Sequence, residues 1–489
     1  APRNSVEEVL AGIWVQLLKL QKVGIYDNFF DLGGHSLLIP QLLAKVRETF
    51  QIELSLREFF DAPTIADLGK RIEMKQGIIP FVSPASNLNL NTEAVLDPTI
   101  HPDSILTEAI AEPSCILLTG ATGFLGTFLL YELLQQTQAD IYCLVRSANA
   151  EEAKQRIQNS LESYSLWEES LNSRIIPVVG DLSQPLLGLS DEQFRAMASQ
   201  IDVIYHNGAL VNFTFPYSAL KPANVLGTQE VLRLASLIKI KPVHFISTIG
   251  VISAAGSGSQ IVREQDRIDD WEAIASGYTQ SKWVAEKLVT IASERGLPIS
   301  IYRPGRISGH SQTGACNTDD HTFRMIKGCI QLGSAPKRGT MVNLISADYA
   351  SRAIVHLSRQ KASLGKVFHI VNPHPIQWNE LVNLIRSFGY PLRQISDEQW
   401  RAELGNLAER SPDNALYPLL PTFSESESPQ TSSSESVIRH IDCHNTVAGL
   451  EGTSIVCPPV NRELLSTYFS YLIRSGFLKA PEPIKIQTS

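Results

Sequence analysis

The chain has 489 residues, a formal net charge of −8, 43% hydrophobic and 19% charged side chains, an ordinary globular composition. At about 150 residues per domain this length predicts about three domains. The mildly acidic balance gives no electrostatic reason to expect nucleic acid or an anionic membrane as partner, and no apolar run approaches the roughly 20 residues of a spanning helix.

The first seventy-odd residues read as a small helical unit, residues 1–75. Val6, Val9, Leu10, Ile13, Trp14 and Leu17 recur at helical spacing and make one apolar face. The loop Gly24-Ile-Tyr-Asp-Asn-Phe-Phe-Asp-Leu-Gly-Gly34 follows, then a helix from about His35-Ser36 with Ile39, Leu42, Leu43, Val46 and Phe50 on its face. Leu56–Phe60 is a short fourth piece, and Thr64 to about Met74 carries Ile65, Leu68 and Ile72. Four short helices give a compact bundle near the smallest size that supports one core. Residues 76–112 lose this periodicity and gather Pro80, Pro84, Pro98 and Pro102, the pattern of a linker or of surface wrapping.

From Ser114 strands alternate with helices. Cys115–Thr119, Ile141–Val145, Ile175–Val179, Val203–Tyr205, Val243–Ile246 and Ile299–Tyr302 are short apolar runs, and Phe128–Gln136 reads as a helix. This order predicts an α/β fold, a Rossmann-type doubly wound parallel sheet over residues 113–309. Residues 310–489 are looser and more helical and suit a substrate-binding region, with a polar low-complexity stretch, Pro421–Ser436, read as a mobile loop. The six cysteines form no C-x-x-C pair, which predicts free thiols in a reducing compartment, the cytoplasm. The chain starts at Ala1 without a signal-peptide core, and reads as a piece cut from something longer.

The chemistry begins at Gly120-Ala-Thr122-Gly123-Phe124-Leu125-Gly126, between a strand and a helix. In that context the first Gly permits a tight turn, the second a close approach to a pyrophosphate, and the third helix-on-strand packing. Arg146 ends the next strand, where a carboxylate would bind the ribose of NAD and an Arg suits the 2′-phosphate of NADP; Arg156 can supply a second cation. Asp181 and Leu182 follow the third strand, where an aspartate can reach the adenine end. Asn207 and Ala209 follow the fourth, where small residues let the backbone pass a cofactor. Tyr278 and Lys282 are four apart, so on a helix both project from one face. The ammonium, with an oxidised nicotinamide nearby, would lower the phenol pKa and make it a usable proton carrier, and Lys282 can also hold the nicotinamide ribose. Thr248, at the end of the Val243–Ile246 strand, offers a hydroxyl to polarise a substrate carbonyl.

These motifs, with Asn224-Val-Leu-Gly227-Thr228 and Tyr302-Arg-Pro-Gly-Arg-Ile-Ser-Gly309, make residues 114–309 resemble the extended short-chain dehydrogenase/reductases. Within that group the stretch is similar to the thioester reductase domains that end nonribosomal peptide synthetases, aminoadipate reductases and carboxylic acid reductases. The resemblance implies that Thr248, Tyr278 and Lys282 are the catalytic set and that Pro304 and Ile307 lie near the nicotinamide. The front unit, through Asp27-Asn-Phe-Phe-Asp-Leu-Gly-Gly-His-Ser36-Leu, resembles a carrier (thiolation) protein, which implies a covalent 4′-phosphopantetheine on Ser36. A serine at a helix N-terminus after a Gly-Gly turn is consistent with this, because an added phosphate meets backbone N–H groups and a favourable dipole.

Together the resemblances imply NADPH-dependent reductive release of a carrier-bound acyl or peptidyl thioester as an aldehyde, with a second hydride giving an alcohol. The implied partners are upstream condensation and adenylation domains and a phosphopantetheinyl transferase; no metal is expected. Reduction of a single carrier-bound acid, as in aminoadipate or carboxylic acid reductases, shares these motifs. An epimerase or dehydratase of the same fold would retain its cofactor and have no use for a carrier. A non-enzymatic sensing or docking module would be expected to lose the Tyr or the Lys.

Overall fold

The structure is a computed structural model describing residues 2–481, except 19, 31, 35–37, 55–57, 60–61, 76–88, 103–111, 214, 254–260, 273, 275, 411–413, 417–418 and 420–439. Ser36, most of the Leu56–Phe60 piece and the polar stretch 421–436 therefore lie outside the described residues.

Three helices of the front unit are described, α1 (Ser5–Leu18), α2 (Ile39–Phe50) and α3 (Ile65–Lys75). Their apolar stripes converge: Leu10 and Trp14, Leu42 and Val46, Leu68 and Ile72 are fully buried together with Phe29, whereas Val9, expected on the same face as Leu10, is exposed. Thr64 starts α3, its hydroxyl accepting the Asp67 N–H at 3.1 Å.

The segment that follows wraps the next domain. The short α4 (Leu90–Glu93) and the turn after it bury Leu90, Leu96 and Ile100 in the core beneath the sheet. The Arg295 guanidinium donates to the carbonyls of Leu96, Asp97 and Ile100 at 3.1, 2.7 and 2.8 Å.

The sheet has seven parallel strands: β1 (Cys115–Thr119), β2 (Asp140–Val145), β3 (Ile175–Val179), β4 (Val203–His206), β5 (Val243–Ile246), β6 (Ile299–Pro304) and β7 (Val367–Ile370), in the order β7-β6-β5-β4-β1-β2-β3. Connecting helices cover both faces: α5 (Phe124–Gln136), α6 (Ala150–Ser163), α7 (Asp191–Gln200), α8 (Tyr217–Lys221), α9 (Gly227–Ser236) and α10 (Gly277–Glu294). Strand runs such as Ile116-Leu-Leu118 are wholly buried because helices cover both sides. The order reverses between β1 and β4, and ligands of such sheets bind in the crevice at that point.

The sheet domain does not end at residue 309. After α11 (His321–Leu332), helix α12 (Ala347–Ser358) returns to pack on α5, sharing a core with Leu129 and Leu133 through Ile354 and Leu357. β7 then pairs with β6, Phe368 opposite Tyr302. A boundary at 309 thus divides the sheet domain, since β7 is a four-residue strand recognisable by its neighbour rather than by its own pattern. The remaining helices, α13 (Trp378–Ser387), α14 (Asp397–Arg410) and α15 (Arg462–Arg474), share with α11 a separate core that includes Phe323, Trp378, Trp400 and Tyr468. All six cysteines are unpaired. Among the described residues no helix is long and apolar enough to cross a membrane.

Candidate active site

The glycine loop is a tight turn that only glycine permits. Gly120 has φ +73°, and a Cβ at Gly126 would lie 1.8 Å from the Gly120 carbonyl oxygen. A Cβ on Gly120 would lie 2.7 Å from the Gly208 Cα, so the loops after β1 and β4 touch backbone to backbone. Asn207 Nδ2 donates to the Gly120 carbonyl at 3.3 Å, and the Gly208 N–H donates to Thr119 Oγ1 at 2.8 Å. Gly123 caps α5 in an extended conformation and is exposed, which leaves the unpaired amides of the first helical turn accessible to an anion. This cradle fits the pyrophosphate of a dinucleotide. The other loop residues pack: Phe124 against Phe128 and Tyr164 at 5.3 and 5.4 Å between ring centres, Leu125 inward, and the Thr122 carbonyl towards Ser160 Oγ.

Beneath the cradle His206 is buried between two hydroxyls, with Nδ1 2.8 Å from Thr119 Oγ1 and Nε2 2.9 Å from Thr228 Oγ1. Thr228 gives its proton to the Asn224 carbonyl at 2.6 Å, so it accepts from His206 Nε2–H, and Nδ1 accepts from Thr119. Burial, reinforced by the Lys282 charge, pushes the imidazole down to about 3 and keeps it neutral. Asn224 sits in a π turn, Pro222–Leu226, and clamps the Leu210 backbone at 2.7 and 3.0 Å. The Asn207–Ala209 loop is thereby held from both sides.

Arg146 and Arg156 are exposed beyond the end of β2, and the Arg156 guanidinium donates to the Arg146 carbonyl. Two cations thus share one strand end. Asp181 accepts from Ser183 N and Oγ, both at 2.8 Å, so that carboxylate oxygen shapes its own turn. The Leu182 side chain fills the space a Cβ on Gly208 would take, and its carbonyl lies against Gly227.

Tyr278 and Lys282 lie in the first turns of α10, which Ser276 caps by accepting the Thr279 N–H. Lys282 Nζ is buried 4.2 Å from the centre of the Phe245 ring and donates to the Ile246 carbonyl at 2.9 Å. Thr248 follows β5, and Gly250 lies between it and the residue after Tyr278: a Cβ there would stand 3.5 Å from Thr248 Oγ1 and 3.4 Å from Thr279. The Ile249 N–H donates to the Pro304 carbonyl at 3.0 Å, which brings the Pro304 motif beside Thr248; Ile307 pairs with Ile345 just beyond. The electrostatics differ from the sequence expectation. Burial pushes the Tyr278 phenol up to about 12, and burial, partly opposed by Glu286, pulls Lys282 down to about 7. In the chain by itself the ammonium faces a backbone carbonyl and does not depress the phenol.

Several residues of this neighbourhood carry no motif signal. Glu286, one turn beyond Lys282, is 1% exposed and pairs with Arg303 of β6 at 2.6 Å. Ser247, the neighbour of Thr248, donates to the same carboxylate. Arg303 also contacts His369 of β7 at 3.2 Å. One carboxylate thus links the Tyr278 helix, the Thr248 strand and the Pro304 strand. Only the spacing of Tyr278, Lys282 and Glu286, each four apart, could have pointed to it. Phe213 meets the Tyr278 ring edge-on at 5.3 Å, and His321 stands 6.4 Å from Phe213 with Nδ1 buried and unpartnered.

Two family models match the chain: one described as a phosphopantetheine attachment site over residues 8–72, the other as male sterility protein, a nicotinamide-binding model, over residues 118–354. A linear gramicidin synthase from Brevibacillus parabrevis is 43% identical over 99% of this chain, which spans 10% of that protein. The terminal R domain of the myxalamid PKS-NRPS pathway is 47% identical, with a TM-score of 0.74, over 80% of this chain and 99% of that domain. An archaeal thiolation-reductase di-domain shares the fold at 24% identity and a TM-score of 0.67, over 98% of this chain and 99% of that one. The chain spans at most about a third of the length of the first curated relatives it matches. With a phosphopantetheine attachment unit in front and a dinucleotide cradle in the sheet domain, the chain belongs to the reductase (R) domains of nonribosomal peptide synthetases, joined to a carrier domain.

Proposed function

We propose that this chain releases an acyl or peptidyl group from the thioester on its own carrier by NADPH-dependent reduction to the aldehyde, hydride and a proton being added as the C–S bond breaks and the arm stays behind as a free thiol. One observation supports this most: the Thr248, Tyr278 and Lys282 elements converge beside the dinucleotide cradle in a chain that also carries a phosphopantetheine attachment domain. Bound NADPH supplies a hydride to the thioester carbonyl. The chain's part is to place hydrogen-bond donors where negative charge develops on that oxygen, Tyr278 Oη and Thr248 Oγ1. With its pKa raised to about 12, Tyr278 is protonated at neutral pH and donates. Lys282 would hold the nicotinamide ribose of the bound cofactor. Phe213 meets the ring of Tyr278 edge-on and helps to fix its position. Ser36 carries the arm, installed by a phosphopantetheinyl transferase, and upstream condensation and adenylation domains load it. The tether raises the effective substrate concentration, so no charged surface is needed to recruit it.

The test is to load the holo protein with a short acyl group, add NADPH and weigh the product. Aldehyde or alcohol supports the reading, and free acid overturns it. Ser36→Ala should remove all carrier-dependent turnover while a small free aldehyde is still reduced, measured by NADPH absorbance. For the 2′-phosphate, Arg146→Ala should raise KM for NADPH about tenfold or more and leave that for NADH unchanged, since a charge-assisted contact is worth about 1.5–3 kcal/mol.

A further inference from the structure

The surface of the reductase that the carrier covers lies beside the Tyr278 helix. In the carrier loop, Phe30 holds its ring 5.6 Å from that of Phe215, and Phe215 and Ala219 pack against the carrier core. Asn212 Oδ1 accepts the Phe215 N–H at 3.1 Å, which ties the Phe215 backbone to the loop after β4. Phe213, two residues back and so at most about 7.6 Å away along the chain, touches Tyr278. A Cβ on Gly277, the residue before Tyr278, would lie 2.3 Å from the Phe215 carbonyl oxygen and 2.6 Å from the Tyr217 N. The covered segment and the start of α10 are thus in backbone contact. Its other side is anchored by the linker: Glu93 accepts from Tyr217 Oη at 2.9 Å and pairs with Lys221 at 2.6 Å.

We propose that Phe215 and Ala219 form the seat from which the chain's own carrier, held through Phe30, delivers its thioester to Tyr278. Three features suit this occupant. The seat is apolar and small, so the contact is weak enough to be left and remade, and the tether supplies the concentration that weak contact lacks. It adjoins the start of the Tyr278 helix, so an arm leaving the carrier has a short path to the site. Finally, Glu93, which lies in the connection between the two domains, braces the segment bearing the seat. The proposal rests on the reductive-release reading for its catalytic part, and the test separates the two.

Full-length holo protein, with its arm loaded with butyrate, is compared in single turnover with the same protein given butyryl-pantetheine in solution. Phe30→Ala should slow NADPH oxidation on the carrier-borne group about tenfold, the upper size of an aromatic contact, and leave the soluble thioester at the wild-type rate. Phe215→Ala should give the same fall on the carrier-borne group, and the double variant no further fall. Full phosphopantetheinylation of each variant shows that the carrier is folded. A carrier-borne rate within twofold of wild type, or an equal fall on both substrates, overturns the seat. Hydrogen exchange without NADPH reads the seat independently of turnover: amides of residues 217–221 should exchange faster in Phe30→Ala than in wild type, and unchanged exchange overturns it. A wild-type protein that reduces neither thioester refutes the release reading, while the exchange result still decides the seat.

Discussion

Replacing Tyr278 by Phe should lower the rate of NADPH oxidation on a carrier-borne thioester by about 10²–10⁴-fold, the range of a lost general acid. The change removes one hydroxyl and keeps the ring, so the edge-on contact with Phe213 and the packing of α10 survive. Binding of NADPH, followed by fluorescence titration, should change by less than about threefold, because the pyrophosphate cradle and Arg146 stand on other loops. Near-normal turnover would remove Tyr278 from the mechanism. Thr248→Ala should follow the same pattern with a smaller loss, about 10²-fold, as expected for one donor of a pair.

Replacing Arg303 by Met should destabilise the protein by about 3–5 kcal/mol, because it strands the Glu286 carboxylate in a site from which water is excluded. Arg303 and Glu286 are 3% and 1% exposed, and the guanidinium covers the carboxylate at 2.6 and 3.0 Å. Denaturant unfolding read by the circular dichroism of the sheet domain would measure the loss, and a change below about 1 kcal/mol would contradict it. Glu286→Gln distinguishes positioning from mere stability. Burial pulls the Lys282 pKa down and the Glu286 charge opposes it, the balance standing at about 7. The ammonium is present below its pKa and is lost as pH rises through it. Without the Glu286 charge that loss comes at lower pH, so the alkaline limb of kcat/KM should move to lower pH in the Gln variant. A variant that had merely lost stability would show a lower plateau with the limb unmoved.

Much of the site was legible because its signals are local. Gly120, Gly123 and Gly126 announce a tight turn; a Cβ would clash at Gly120 and Gly126, whereas Gly123 has an extended conformation open to other residues. Strand ends announce which loops can carry function, and Thr248, Asn207 and Arg146 all stand there. The four-residue spacing of Tyr278 and Lys282 became a shared face once α10 formed. The phenol's electrostatics were not legible: what sets them is the burial of Tyr278 and the turn of Lys282 towards Ile246, and both depend on neighbours from other strands.

The sequence by itself determined the class of fold, the order of its motifs and the residue types that chemistry requires, since each is encoded within a strand, a turn or a few helical turns. Tertiary structure alone decided which distant residues complete them. Val367–Ile370 is too short to declare itself and joins the sheet only because β6 offers an open edge. Leu90, Leu96 and Ile100 lie in a proline-bearing stretch of linker character, yet pack beneath the sheet, where Arg295 gathers the carbonyls of Leu96, Asp97 and Ile100. Glu286 reads as an ordinary helical carboxylate until Arg303 and Ser247 close around it. Phe30 and Phe215, 185 positions apart, meet only when the carrier sits on the reductase. In each case the energy lies in a contact between residues far apart in the chain, which no local pattern announces, and it weighs most where both partners are buried, as Glu286 and Arg303 are.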